Sequence, residues 1–247
     1  MIERLVGFFL VLTRLSAFFL ILPVFSWRTV PVRLRMASIV MLSIFFALGT
    51  GFVPVGGGLS PLRIILLLAQ EATYGLALGL IIYILFAAVR CAARIIERQM
   101  GMAMAEVMDP LTGERTQPLA GLLEMIFILF FLAANGHHLL LLYIARSYET
   151  FPVGTVPSIA VMTEGVAKAS SILFSASLRL AAPMLAVFLV MLVVLAIMSR
   201  LVPEMNILFV SMPIRVGLGL MMTVLFLPYL REYLTEFTQW MGKLLPI

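Results

Sequence analysis

The chain has 247 residues, of which 63% are hydrophobic and only 12% are charged. Soluble domains carry about twice that share of charge, so this chain cannot cover its own surface in water and is predicted to be an integral membrane protein. The net charge of +5 comes from 17 scattered Lys and Arg residues without a dense basic run or interleaved aromatics, which argues against nucleic-acid binding.

Six long apolar stretches follow one another along the chain, and each approaches the roughly 20 residues that a helix needs to cross a bilayer. They cover residues 5–25, 36–53, 64–89, 119–145, 172–199 and 207–230. None of the connections has the composition of a soluble linker or of a separate domain. The sequence therefore predicts an all-α membrane protein in which residues 1–247 form a single membrane-embedded domain.

Ionisable residues interrupt these apolar stretches at five positions. They are Arg14, Glu71, Glu124, Arg179 and Arg215. Each would cost roughly 2.5–3.5 kcal/mol if it faced lipid near the bilayer centre, so we expect all five to face protein, water or one another. Three interpretations remain open: structural ion pairs inside a helical bundle, contacts with partner subunits or an aqueous passage during assembly, and proton-coupled transport through Glu71 or Glu124.

Proline and glycine interrupt the same stretches. Prolines lie inside or at the edge of apolar stretches at positions 23, 183, 203 and 213. Proline removes a helical hydrogen bond, and the freed carbonyl needs a partner, so bent segments are expected to be buried in protein. Glu71, Gly75 and Gly79 recur every four residues and share one helix face, which predicts close packing of another helix against the two glycines.

The segment between the third and fourth stretches is softer and more polar than the rest. Its notable residues are Met100, Met102, Met104, Met108, Asp109, Pro110, Leu111, Gly113 and Pro118. Asp109-Pro110 favours a turn that ends any preceding helix, Gly113 permits a reversal, and Pro118 suits the first turn of the next helix. The methionines are either ordinary packing residues or a deformable seal, because unbranched methionine conforms to irregular surfaces.

Several groups of residues occur in a fixed order along nearly the whole chain. They are Arg14 with Pro23, Val30-Pro31 with Arg35, Glu71 with Gly75 and Gly79, Gln99-Met100-Gly101 before Asp109-Pro110, Asn135-Gly136-His137, and Arg200 with Pro203 and Asn206 before Pro213. This ordered set resembles the FliR family, membrane subunits of the flagellar type III export gate. The Asp109-Pro110 loop and Asn135-Gly136-His137 resemble the flagellar branch more than the related injectisome subunits.

The resemblance implies a subunit of a larger assembly in the bacterial inner membrane, at the flagellar basal body. Members of this family join FliP and FliQ in a helical ring around a passage for unfolded flagellar cargo, with FlhB and FlhA against or beneath it. They also contribute an inward loop that helps to plug the closed passage. Here that loop maps onto residues 106–121, which favours the seal interpretation of the methionines. No cofactor is implied.

Two other classes of function account for parts of the sequence. An enzyme is disfavoured because His137 and His138 point about 100 degrees apart on a helix and no carboxylate follows at zinc-site spacing. The single cysteine, Cys91, has no obvious base near it, and Asn135-Gly136-His137 is more typical of a helix interruption or an interfacial turn. A secondary transporter would explain the intramembrane charges and broken helices, but the sequence shows no matched halves.

Overall fold

A computed structural model of the protein describes residues 2–23, 31–49, 60–101, 117–202 and 207–245. Within these ranges the chain forms α-helices and no β-strand, which confirms the all-α prediction. The helices are α1 (Ile2–Ile21), α2 (Val32–Gly49), α3 (Pro61–Gln99), α4 (Pro118–Ala133), α5 (Gly136–Thr150), α6 (Ile159–Leu201) and α7 (Ile207–Leu244). Five of them are long and apolar enough to cross a membrane, or six spans if α4 and α5 count as one broken span.

Three helices run well beyond the apolar stretches that predict them. Helix α3 has 39 residues, α6 has 43 and α7 has 38. At 1.5 Å per residue such helices are about 57–65 Å long, roughly twice the thickness of a bilayer's hydrocarbon core. An apolar stretch therefore marks the part of a helix suited to lipid, while the helix itself continues into more polar sequence.

The fourth apolar stretch is broken in its middle. Asn135 adopts the left-handed conformation with φ of 59°, and α5 begins at the next residue, Gly136. A Cβ on Gly136 would overlap the ring of Phe131, so a larger residue there would have to displace that ring. These observations confirm the interruption predicted at Asn135-Gly136-His137.

Proline occupies two kinds of position in these helices. Pro61 and Pro118 are the first residues of α3 and α4, where the missing N–H costs nothing because a first-turn N–H has no helical partner. Pro183 lies inside α6, and Pro213 and Pro228 lie inside α7. Pro203 lies outside the described residues. The bends predicted at the internal prolines stay predictions.

The chain divides into two compact units, neither of which is a continuous stretch. The first comprises Met1–Leu85, Phe131–Ser171 and Phe237–Ile247, and the second comprises Phe86–Phe130 and Ile172–Glu236. In the second unit, the buried ring of Phe127 has its centroid 5.4 Å from that of Phe86 and 5.6 Å from that of Tyr233. The single functional domain predicted for residues 1–247 stays a prediction.

Candidate functional site

Two glycines on one face of α3 allow it to approach α1 closely in the first unit. A Cβ on Gly75 would overlap the backbone oxygen of Arg14, and a Cβ on Gly79 would lie 2.8 Å from the backbone oxygen of Phe18. Because real Cβ atoms do not come this near to a carbonyl, any larger residue would push the two helices apart. The close approach brings a charged residue of each helix into contact.

Arg14 of α1 and Glu71 of α3 form a bidentate ion pair that is fully buried. Nε of Arg14 lies 2.5 Å from Oε2 of Glu71, and Nη2 lies 3.0 Å from Oε1. Both side chains are 0% exposed. Two charges removed from solvent in this way need every remaining donor and acceptor satisfied if the pair is to be tolerated.

The backbone of the last turn of α5 and of the turn that follows it satisfies the remaining donors of the arginine. Arg14 donates to three carbonyl oxygens, those of Ser147 at 3.2 Å, Phe151 at 3.0 Å and Thr155 at 3.4 Å. In return, the N–H of Gly154 donates to Oε1 of Glu71 at 2.8 Å. Gly154 has φ of +84°, a backbone conformation that favours glycine, so the turn can present its N–H and its carbonyls to one ion pair.

Two tyrosine rings complete the surroundings of the guanidinium. Cζ of Arg14 lies 4.8 Å from the ring centroid of Tyr74 and 4.4 Å from that of Tyr148. Both distances fall in the cation–π range. The hydroxyl of Tyr148 donates to the backbone oxygen of Val11 at 3.2 Å, which links α5 to α1. We call Arg14, Glu71, Tyr74, Tyr148 and Gly154 the Arg14 hub.

The Arg14 hub joins α1, α3, α5 and the turn after α5 through polar contacts that are internal to the chain. For this pair the geometry is that of a structural ion pair within a helical bundle, one of the three interpretations that the sequence leaves open. Its role in assembly stays a prediction.

The other three intramembrane charges lie in the second unit and are less buried. Glu124 accepts a hydrogen bond from Arg90 of α3, and both side chains are partly exposed. Arg179 of α6 lies 3.0 Å from Glu236 of α7, but its side chain is 67% exposed. Arg179 is therefore not buried by this chain alone, and its role in assembly stays a prediction.

Arg215 is the least satisfied of the five charges. Its side chain is partly exposed, and its Nε is buried without a hydrogen-bond acceptor within the described part of the chain. It shares a face of α7 with Ser211 and Thr223, both largely buried.

One of the predicted seal residues falls within the described part of the chain. Met100 is 1% exposed at the end of α3, and its side chain fills the space in front of Gly219, where a Cβ would lie 2.5 Å from the methionine Cγ. Gly101 follows with φ of +78° and ends the helix. The remaining predicted residues, Met102, Met104, Met108, Asp109, Pro110, Leu111 and Gly113, lie outside the described residues.

Sequence reasoning missed Glu97, a carboxylate that α3 buries beyond the end of the third apolar stretch. It is 6% exposed, and its Oε1 accepts a hydrogen bond from the N–H of Leu119 at 3.4 Å. The three nearby arginines made this part of the chain look like a polar connection. A usable signal was present, because Ala93, Ile96 and Met100 have helical spacing and are all buried on the same side.

No described group of three or more His, Cys, Asp or Glu residues is arranged to hold a metal ion. The rings of His137 and His138 lie 4.2 Å apart at the start of α5, without a carboxylate ligand described near them.

The family model for bacterial export proteins, family 1, matches residues 5–241. The chain belongs to this family. The flagellar biosynthetic protein FliR of Bacillus subtilis is 31% identical over 90% of the chain and 86% of its own length, and that of Escherichia coli is 29% identical over 92% and 86%. The Yop proteins translocation protein T of Yersinia pestis is 29% identical over 92% of the chain and 88% of its own length.

These relatives of the bacterial export family are named for flagellar biosynthesis or protein translocation rather than for a reaction. Each similarity extends over about nine tenths of the chain, so both compact units lie largely within the matched region. The resemblance stated from the sequence is confirmed at the level of the family.

Proposed function

We propose that the chain is a membrane subunit of a type III protein export gate that helps to form and seal the passage for unfolded flagellar subunits. The observation that carries this proposal is the family match over residues 5–241, in a chain whose described residues include helices for five or six spans, each long and apolar enough to cross a membrane. The same family match supports a structural role, and we propose no catalytic activity.

The injectisome is the second candidate setting for the same gate. A relative named for Yop protein translocation is matched over as much of the chain as the FliR relatives are. The flagellar setting is favoured by the Asp109-Pro110 and Asn135-Gly136-His137 elements of the sequence. The break at Asn135 is present in the structure, whereas Asp109-Pro110 lies outside the described residues.

The proposed partners are FliP, FliQ, FlhB and FlhA, and the proposed location is the bacterial cytoplasmic membrane at the flagellar base. Incomplete burial of the helices supports an assembly. In the most apolar windows of α2, α6 and α7 only 22% of residues are buried within the chain, against 56% for α3. Faces this apolar have to be covered by lipid or by other protein.

The proposed seal comprises residues 106–121 together with the methionines from Met100 onward. The ends of this region support the assignment, because α3 stops at Gln99, Gly101 redirects the chain, and α4 starts at Pro118. Pliable apolar side chains can close on one another and yield to a passing chain, and an apolar constriction blocks ions by excluding water.

Deleting the gene in its own bacterium tests the proposed function. Secretion of flagellar hook and filament proteins into the medium is expected to stop, and a plasmid copy of the gene is expected to restore it. Loss of virulence-protein secretion with normal flagella would move the chain to the injectisome. Unchanged secretion by both routes would contradict an export role.

Ion conductance of the purified complex in a planar bilayer tests the seal. Replacing Met100, Met102 and Met104 with Ala, or deleting residues 111–116, is expected to raise the conductance of the closed complex. The matched control replaces three exposed methionines, Met198, Met212 and Met221, with Ala. Conductance equal to wild type in both seal variants would count against the assignment.

A further inference from the structure

The first turn of α4 is buried on one side, where Leu119 is 7% exposed and Ala120 is 2% exposed, while Pro118 and Gly121 are exposed. The first N–H groups of an α-helix have no partner within the helix, and a buried N–H without an acceptor is costly. Pro118 removes one of these donors because proline has no N–H. The N–H of Leu119 is therefore the first donor that α4 must satisfy.

Glu97, in the last turn of α3, supplies the acceptor for this N–H. The hydrogen bond from Leu119 to Oε1 spans 22 positions of sequence, and the glutamate is almost fully buried. A carboxylate at this place also faces the positive end of the α4 dipole. Gln117, the residue before the helix, is not among the residue types that cap helices well, so the cap comes from another helix.

A second polar contact joins the same two helices deeper in the second unit. Arg90 of α3 donates to Glu124 of α4. The later residue of α3, Glu97, contacts the earlier residue of α4, Leu119. The earlier residue of α3, Arg90, contacts the later residue of α4, Glu124, so the two helices run antiparallel here. Of the two contacts, the one made by Glu97 lies nearer the helix ends that border residues 102–116 in the sequence.

We propose that Glu97 is a positioning residue that caps α4 from α3. The cap sets the separation of Gly101 and Gln117, the described residues on either side of residues 102–116. This inference rests on the proposed function, because that separation affects export only if residues 106–121 help to close the passage. The other carboxylate oxygen of Glu97, Oε2, is also buried, and none of the described residues donates a hydrogen bond to it.

Four variants of the chain in its assembled complex test the cap. Glu97→Leu removes the hydrogen-bond acceptor and keeps a side chain of similar size, whereas Glu97→Gln retains an acceptor and removes the charge. Arg98→Leu is the matched control, since Arg98 is the exposed neighbour on the same helix turn. Glu97→Leu combined with Gln117→Asp places a local capping carboxylate at the start of α4 and is the rescue variant.

Amide hydrogen exchange of residues 117–124 is the first measurement, and ion conductance of the closed complex is the second. Glu97→Leu is expected to raise exchange in this region about five- to tenfold and to raise conductance. Exchange in residues 138–150 is expected to stay unchanged. Glu97→Gln, Arg98→Leu and the rescue variant are expected to stay within about twofold of wild type in exchange and to match it in conductance.

Unchanged exchange in Glu97→Leu would overturn the cap, as would equal deprotection in Glu97→Gln. Deprotection without a change in conductance would overturn the positioning role and leave the proposed function intact, because secretion in the deletion strain tests that separately. If Glu97→Leu does not assemble, the rescue variant decides. Its assembly with wild-type exchange and conductance supports the proposal, and its failure to assemble, while Arg98→Leu does, overturns it.

Discussion

The two compact units treat charge in their apolar helices differently. In the first unit, Arg14 and Glu71 are 0% exposed, and each finds further partners in the turn after α5. In the second unit, Arg90–Glu124 is partly exposed and Arg179 is 67% exposed. A charge in a membrane helix is tolerated either when all of its hydrogen-bonding groups have partners inside the chain or when it stays exposed to partner proteins, lipid headgroups or water.

The contrast distinguishes two roles for intramembrane charges that the sequence does not distinguish: contacts within the chain and contacts in the assembled complex. The polar groups of the Arg14 hub are satisfied within the first unit, without any partner chain. The more exposed pairs of the second unit contribute less to the isolated chain, and any larger contribution from them has to appear in the assembled complex. Substitutions in the two units are therefore expected to differ in size and in the state of the protein that reveals them.

Replacing Arg14 with Leu is expected to have the largest effect. It leaves Glu71 buried with a charge and without its cationic partner, which typically costs about 3–5 kcal/mol of unfolding free energy. Denaturant or thermal unfolding in mild detergent measures the loss. The double variant Arg14→Leu/Glu71→Leu is expected to be less destabilised than the single one, because no uncompensated charge remains. A single variant as stable as wild type would refute the hub's structural role.

Replacing Gly75 with Ala is expected to cost about 1–3 kcal/mol, because the new Cβ overlaps the backbone oxygen of Arg14 and forces α1 and α3 apart. Gly121→Ala in α4 is the matched control, since nothing lies within 4 Å of its Cβ position. That control is expected to be neutral or slightly stabilising, as alanine favours a helix. The same unfolding measurement applies, and equal stability of both variants would argue against tight helix contact at Gly75.

Replacing Glu124 with Gln is expected to destabilise the chain by about 1–2 kcal/mol, because it weakens a charge-assisted hydrogen bond at a partly exposed site. Unfolding in detergent again provides the measurement, with Glu149→Gln on an exposed face of α5 as the control. A loss as large as that of Arg14→Leu would erase the distinction between the two units.

Replacing Arg179 with Ala is expected to have the smallest effect on the isolated chain, below about 1 kcal/mol, because an exposed ion pair is screened. Its yield in the co-expressed complex, compared with Lys168→Ala as an exposed control, sharpens the comparison. A lower complex yield at unchanged chain stability would assign Arg179 to a subunit contact. A loss of chain stability above about 2 kcal/mol would contradict the exposed position.

Much of the fold was predictable because apolar length and chain interruption are local signals. The six apolar stretches correspond to the spanning helices, and the break at Asn135 follows from a short Asn-Gly sequence. Helix ends were harder, since α3 continues through Arg90, Arg94 and Arg98 after its apolar stretch has ended. Helix propensity and packing extend α3 beyond its apolar stretch, and a hydropathy pattern reports neither of them.

The partners of the charges were not predictable to the same degree. Arg14 and Glu71 are 57 positions apart, and the carbonyl of Phe151 is 137 positions from Arg14. The sequence indicates that these charges need partners, but pairing across such separations depends on how the helices pack. Glu97 was missed for a related reason, because its hydrogen bond comes from α4, 22 positions away, and three arginines lie among its apolar neighbours in the sequence.

The native mass of the chain in mild detergent, with and without co-expressed FliP and FliQ, tests most directly whether it is an export-gate subunit. We expect a stable complex, much larger than the 27.3 kDa chain, that contains all three proteins. A chain that stays monomeric when all three proteins are present in the same membrane would contradict the account.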